Sequence, residues 1–239
     1  MYTTELAVVL RAENYRENDR MLTLFTRESG RVEALARGCR KIGGSLSAVS
    51  EPFSCAEVQL YRNKNRITVT QCAPKESFYE IREDFEAFAC GSFLLSVCEK
   101  CVVPESPERK LFALLVNCLF ALKKKADPVD TALFFMLRLL SHLGQDIELS
   151  HCIHCGNAET TAIDFESGGA SCKNCSGVPF GPDFIKLLRY MKASGVKSII
   201  DTVFGADKAS AFQFIGHALD ISQVGRPKSY DFFMKLLSN

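Results

Sequence analysis

The chain has 239 residues, 47% of them hydrophobic, which is enough material for one large core or two small ones and excludes a disordered tail. Its 29 basic and 28 acidic residues leave a formal charge of +1, so attraction to a polyanion has to come from local clustering and not from bulk charge. The most apolar stretch, Leu111 to Leu122, is shorter than the roughly 20 residues of a spanning helix and contains Asn117, which predicts a buried helix and no membrane partner.

The opening MYTTELAVVLRAEN lacks the basic, apolar and small-residue succession of a secretory signal, so the mature chain is expected to start near Met1. Eleven cysteines, an odd number, seven of them without repeated spacing, argue against a disulfide framework and for a reducing compartment.

Five short alternating or β-branched runs follow one another: ELAVVL at 5–10, MLTLFT at 21–26, RVEALA at 31–36, FSCAEVQLY at 53–61 and RITVTQC at 66–72. Ser29-Gly30 predicts a tight reversal between the second and third, and Asn63-Lys64-Asn65 one between the fourth and fifth. A Gly- and Ser-rich loop, Gly38 to Ser50, joins the third strand to the fourth and carries Arg40 and Lys41 with no acidic residue. Five strands in about 75 residues suit a small closed barrel of the oligonucleotide-binding (OB) type.

Near Pro74 the period changes, with Phe78, Ile81, Phe85 and Phe88 at helical spacing on one expected face. Ser106-Pro107 and Asp127-Pro128 each read as an N-cap followed by proline, and Gly144 as a stop after ALFFMLRLLSHL. Further helices are expected at about 182–193, 206–222 and 228–237. The predicted fold is therefore α+β and multidomain: a five-stranded OB-fold barrel over 1–75, then an all-helical domain over 76–239 with a zinc-ribbon-like insert at about 150–178.

That insert, HCIHCGNAETTAIDFESGGASCKNCSG, holds two Cys-x-x-Cys pairs separated by sixteen residues. Each pair forms a knuckle, and Cys152, Cys155, Cys172 and Cys175 together supply four thiolates for one structural Zn2+. His151 and His154 are possible competitors, but four cysteines fill a tetrahedron and leave no open position for catalysis. A zinc deaminase would need a His-x-Glu, which the chain lacks. Gly38 to Ser45 imitates a phosphate-binding loop but places Gly44 where the lysine belongs. Cys98 and Cys101 fall in a predicted helix with nothing to mark a redox pair. No catalytic residues are assigned, and no enzyme is predicted.

Basic residues gather at two places on the barrel: Arg31, Arg37, Arg40 and Lys41 around the third strand and its loop, and Arg62, Lys64 and Arg66 around the last turn. Tyr15, Tyr61 and Phe53 are the nearest aromatic platforms on which bases could stack.

VVLRAENYREND followed by LFTRESGRVEALARGCRK resembles the N-terminal barrel signature of the RecO family of bacterial DNA repair and recombination mediators. In that family a Tyr-Gly-Glu-x-Asp stretch precedes a strand, a turn and an Ala-Arg-Gly-Ala-Arg-like loop. Arg16 stands where the glycine is usual, and Cys39 where a small residue is. Further matches are Glu51-Pro52-Phe53, the Leu-Leu-x-x-Leu-Gly run at 139–144, the paired knuckles and Arg226-Pro227-Lys228-Ser229, so the likeness spans nearly the whole chain.

The resemblance implies binding of single- and double-stranded DNA, strand annealing, and help in loading recombinase on gaps coated with single-stranded DNA-binding protein in the RecF pathway. It implies two protein partners, RecR and the acidic C-terminal tail of the single-stranded DNA-binding protein, the latter in a basic-rimmed apolar groove of the helical domain. It implies a place in the bacterial cytoplasm at the nucleoid. Arg37, Arg40 and Lys41 match the family's basic barrel loop. Two other classes compete. One is a zinc-ribbon adaptor between proteins without nucleic-acid binding. The other is an enzyme whose site is assembled from residues such as Glu17, Asp19 and Arg20.

Overall fold

The computed structural model describes residues 1–64 and 66–237. Contacts divide the chain into two compact units, Met1–Asp84 with Leu94–Leu119, and Phe85–Phe93 with Phe120–Asn239.

In the first unit β1 (Tyr2–Tyr15), β2 (Asp19–Thr26), β3 (Gly30–Ala36), β4 (Cys55–Asn63) and β5 (Arg66–Glu76) close into a barrel in the order β1-β2-β3-β5-β4. Neighbours are antiparallel except β3 and β5, which run parallel through Leu35↔Thr68 and Ala36↔Val69, giving the OB-fold. The alternation read from the sequence sends Ala7, Val9, Leu22, Leu24, Val32, Ala34, Val58, Leu60 and Val69 into the interior.

The first strand runs on to Tyr15 instead of ending near residue 10, because a register shift between Val9 and Arg11 bends it and keeps it paired to Tyr15↔Asp19. Asn65, the third residue of the expected reversal at 63–65, lies outside the described residues. Gly30 opens β3 at φ 67°, and a Cβ there would stand 2.4 Å from the carbonyl oxygens of Val103 and Ser106. The backbone at 103–106 lies flush on that end of β3: Arg31 N donates to Val103 O at 3.3 Å and Glu105 N to Ser29 O at 2.9 Å.

The helices are α1 (Tyr79–Glu83), α2 (Phe85–Cys101), α3 (Arg109–Lys123), α4 (Pro128–His142), α5 (Pro182–Ala193), α6 (Lys197–Asp201), α7 (Lys208–Ile221) and α8 (Lys228–Leu237). Between α4 and α5 lies a small sheet of β6 (Ala162–Asp164), β7 (Gly169–Ser171) and β8 (Val178–Pro179), in the order β7-β6-β8. Among the described residues no helix is long and apolar enough to cross a membrane.

The single apolar face expected for Phe78, Ile81, Phe85 and Phe88 does not form. Asp84 takes an extended conformation and ends α1, so Phe78 and Ile81 are buried while Phe85 is 61% and Phe88 36% exposed. Ser106-Pro107 is not the start of a helix, since α3 begins at Arg109 with Phe112 N donating to Glu108 O. Asp127-Pro128 behaves as read: the Asp127 carboxylate accepts from Asp130 N at 2.9 Å and proline opens α4. Gly144, at φ 76°, ends it.

α4 is buried on nearly every side and forms the axis of the second unit. Within it Asp130, only 1% exposed, accepts backbone N–H from Phe204, Gly205 and Ala206 at 2.9 to 3.2 Å. Burial raises its carboxyl above the ordinary range, and those three donors hold it partly down. The side chain fixes the loop ahead of α7. On α8, Tyr230 Oη donates to Phe212 O at 2.9 Å and Phe233 stacks on Phe93 with centroids 5.8 Å apart.

Candidate metal centre and nucleic-acid interface

The four cysteines of the insert converge. The sulfurs of Cys152, Cys155, Cys172 and Cys175 all lie within 4.8 Å of one another, and Cys155 and Cys172 are 3.6 Å apart. A tetrahedral ion with metal–sulfur bonds of about 2.3 Å spaces its ligands about 3.8 Å apart, so the cluster fits one four-coordinate ion.

Each knuckle is shaped by its own backbone: Gly156 N donates to Cys152 O at 2.8 Å and Cys175 N to Cys172 O at 3.0 Å. Burial pushes the Cys152 thiol up, but backbone N–H groups of Cys172, His154 and Cys155 draw it down to about 6. Cys175, facing the sulfur of Cys172, is pushed up to about 12. Four such sulfurs cannot all ionise side by side without a cation among them. The two histidines are occupied elsewhere: His154 Nε2 meets Asp164 Oδ2 at 3.0 Å and His151 Nδ1 meets Ser150 Oγ at 2.6 Å.

What holds the insert in the second unit was not visible in the sequence. Arg189 of α5 reaches Leu149 O and, at 2.9 Å, Thr160 Oγ1, while Lys192 donates to Ile147 O at 2.7 Å. Phe165 packs face to face on His217 of α7 with centroids 4.7 Å apart. Gly169 and Gly177 leave room where a Cβ would come within 2.3 Å of Ile153 Cγ2 and Ser171 Oγ.

On the barrel, strand alternation sorts the predicted cations. Arg37, Tyr61, Asn63, Lys64, Arg66, Thr68 and Thr70 line one open groove of about 570 Å³. A second, of about 610 Å³, is lined by Arg16, Glu17, Asn18, Asp19, Arg37, Gly38 and Lys41, and Arg37 belongs to both. Among the described residues Arg16, Arg37, Lys41, Lys64 and Arg66 have no ion-pair partner.

Arg40 donates to Glu17 O at 3.1 Å, and Gly38 N to Asp19 Oδ1 at 2.8 Å, which laces the loop after β3 to the turn between β1 and β2. Arg62 and Arg31 are not brought into the grooves. Arg62 alternates with Tyr61, faces the other way and pairs with Glu105 at 3.0 Å, and Arg31 donates to Glu99 O at 2.8 Å.

Tyr61 remains a half-buried wall of the first groove, its ring 4.7 Å from that of Tyr2. Phe53 is no platform, since it is 2% exposed with φ 72°. Glu17 and Asp19 both line the second groove, but Arg20 does not join them there. Asp19 ties the 38–41 loop, and Arg20 donates to Ser50 O at 2.8 Å and pairs with Glu51.

Arg16 is the residue missed among the basic clusters. It sits at φ 56° in the turn between β1 and β2, with its guanidinium over the Tyr15 ring at 5.4 Å. The signal was present: it occupies the position where a glycine was expected, and the structure gives that position a glycine-like conformation. Arg16→Gly should therefore raise stability by about 1 kcal/mol, read as the urea midpoint, while removing one exposed cation from the groove.

Two family models match the chain: recombination protein O N terminal over residues 1–78 and recombination protein O C terminal over residues 82–230. The chain is 32% identical over 199 residues to a protein of Alkaliphilus metalliredigens named DNA repair protein RecO, covering 80% of this chain and 81% of that one. It is 33% identical over 172 residues to a protein of that name from Desulfitobacterium hafniense, covering 71% of this chain and 63% of that relative. A third protein of that name, from Bacillus velezensis, is 32% identical over 195 residues, 79% of this chain and 76% of its own length.

Proposed function

Since the chain belongs to the recombination protein O family, we propose that it is a DNA repair and recombination mediator, not an enzyme, that binds single- and double-stranded DNA and promotes annealing of complementary strands. It helps load recombinase on gaps coated with single-stranded DNA-binding protein, whose C-terminal tail and RecR are its protein partners, in the bacterial cytoplasm at the nucleoid. Residues 1–75 form the nucleic-acid-binding domain, and 76–239 the helical domain with its metal-binding insert at about 150–178. The ion is a structural Zn2+: four thiolates are its preferred closed set, and they leave no position for a reacting water.

The observation that carries this reading is the pair of adjoining grooves that share Arg37. Nucleic acid on an OB-fold is held at the loops joining strands 1–2 and 4–5, and Arg16 stands in the first of these while Lys64 and Arg66 flank the second. Arg40 and Lys41 extend the same edge, with Arg31 and Arg62 outside it as weaker, already engaged cations. Unpaired cations beside the Tyr61 ring provide phosphate neutralisation and a stacking surface together.

The test is a titration of a fluorescent single-stranded oligonucleotide at several salt concentrations, with and without RecR and the single-stranded DNA-binding protein. The logarithm of affinity should fall linearly with the logarithm of salt, and both partners should alter the isotherm. Negligible affinity at low salt would instead favour the zinc-ribbon adaptor.

A further inference from the structure

The barrel has an end that the nucleic-acid reading does not use. Thr3 and Glu5 continue the row of inward-facing β1 residues that Ala7 and Val9 occupy deeper in the core. With Val32, Leu60 and Ile67 they line a pocket of about 280 Å³, rimmed by Met1, Glu28, Ser29, Arg62 and Glu105. It is distinct from both grooves, since it shares no lining residue with either.

Most of its charged groups are satisfied. Arg62 pairs with Glu105 at 3.0 Å, Glu28 pairs with Arg109 and lies 3.6 Å from Arg27, and the terminal ammonium of Met1 donates to Arg62 O at 3.1 Å. Glu5 is the exception. It is 8% exposed, its Oε1 accepts from Ser29 Oγ at 2.6 Å, and its buried Oε2 has no hydrogen-bond partner and no ion pair among the described residues. A carboxylate oxygen buried in this way is costly unless a donor, best a cation, reaches it.

We propose that this mouth of the barrel receives an alkylammonium group, carried either by a free aliphatic amine or by a lysine side chain of a partner protein. An ammonium is favoured over a guanidinium because only one oxygen of Glu5 lacks a hydrogen-bond partner, whereas a guanidinium is matched to both oxygens of a carboxylate. The aliphatic stem has its own surface in Val32, Leu60 and Ile67, so an apolar chain with a cationic head suits the site better than a bare hydrated ion.

The full chain with labelled isoleucine, leucine and valine methyls is titrated with pentylammonium, N-acetyl-lysine N-methylamide, pentan-1-ol and magnesium chloride, followed by methyl spectra. Pentylammonium should shift the Val32, Leu60 and Ile67 methyls saturably, and Glu5→Gln should weaken that response about tenfold, the loss expected for one charge-assisted hydrogen bond. A matching response to the lysine amide supports a protein source, and a response to pentylammonium alone supports a free amine. Equal shifts from pentan-1-ol, shifts from magnesium alone, or no saturable shift would each overturn the proposal. If Glu5→Gln does not fold, the contrast between pentylammonium and pentan-1-ol on the unaltered chain still decides it.

Discussion

Removing the metal with a chelator, or replacing Cys172 with serine, should abolish amide protection across β6–β8 while leaving protection in the barrel strands unchanged. The expected size follows from the site: closed cysteine centres contribute roughly 10 to 16 kcal/mol of apparent binding energy, which in a segment this small is folding energy. The sheet that surrounds the thiolates has strands of three, three and two residues, too short to persist on ladder hydrogen bonds alone. Without an ion, the four sulfurs that lie within 4.8 Å of one another lose the centre that ties the two knuckles together. The loss should spread to α5, because Arg189 and Lys192 donate to carbonyls at Leu149 and Ile147 that no longer hold their places. Hydrogen exchange read by mass spectrometry checks this, and unchanged protection at 162–179 after chelation would count against a structural metal.

The second large effect concerns the cationic groove. Replacing Arg37, Lys64 and Arg66 together with alanine should weaken single-stranded DNA binding for every sequence and reduce the salt slope by about 2, the contribution of three phosphate contacts on a single strand. These three are chosen because they line one groove and have no ion-pair partner among the described residues. The same change at Arg31 and Arg62 should leave the slope nearly as it was, since both are already engaged and face away. Equal slopes for the two sets, measured by fluorescence anisotropy, would show that the groove is not the contact surface.

Much of this is legible in the sequence. Alternation is a local signal, so Ala7 to Val9 and Leu22 to Leu24 announced their strands, and the spacing of Cys152, Cys155, Cys172 and Cys175 announced their convergence because each pair closes within a single turn. Facing was harder. The cluster Arg62, Lys64 and Arg66 looks uniform in sequence, yet Arg62 sits beside Tyr61 in a strand and is thereby sent to the opposite side. Phe85 and Phe88 fit a helical period with Phe78, but the period carries no record of the break at Asp84. The clamps from Arg189 and Lys192 join residues about forty apart and depend on a tertiary approach that no short-range pattern encodes. Arg16 lies between these cases: its departure from the glycine usual at that position is legible in the sequence, whereas its left-handed backbone and its place in the groove are not.

The closure of β3 on β5 spans two residue pairs, which leaves the N-terminal end of β3 to be completed by the backbone at 103–106. That segment serves as a substitute stave, and with Phe112 seated edge-on against Phe25 it makes residues 94–119 part of the barrel's own architecture. The compact unit that contains the barrel is thus discontinuous in the chain. Severing it after β5 would bare both a strand edge ready to pair with another molecule and an aromatic face ready to adhere, so self-association is the hazard that the later helices suppress.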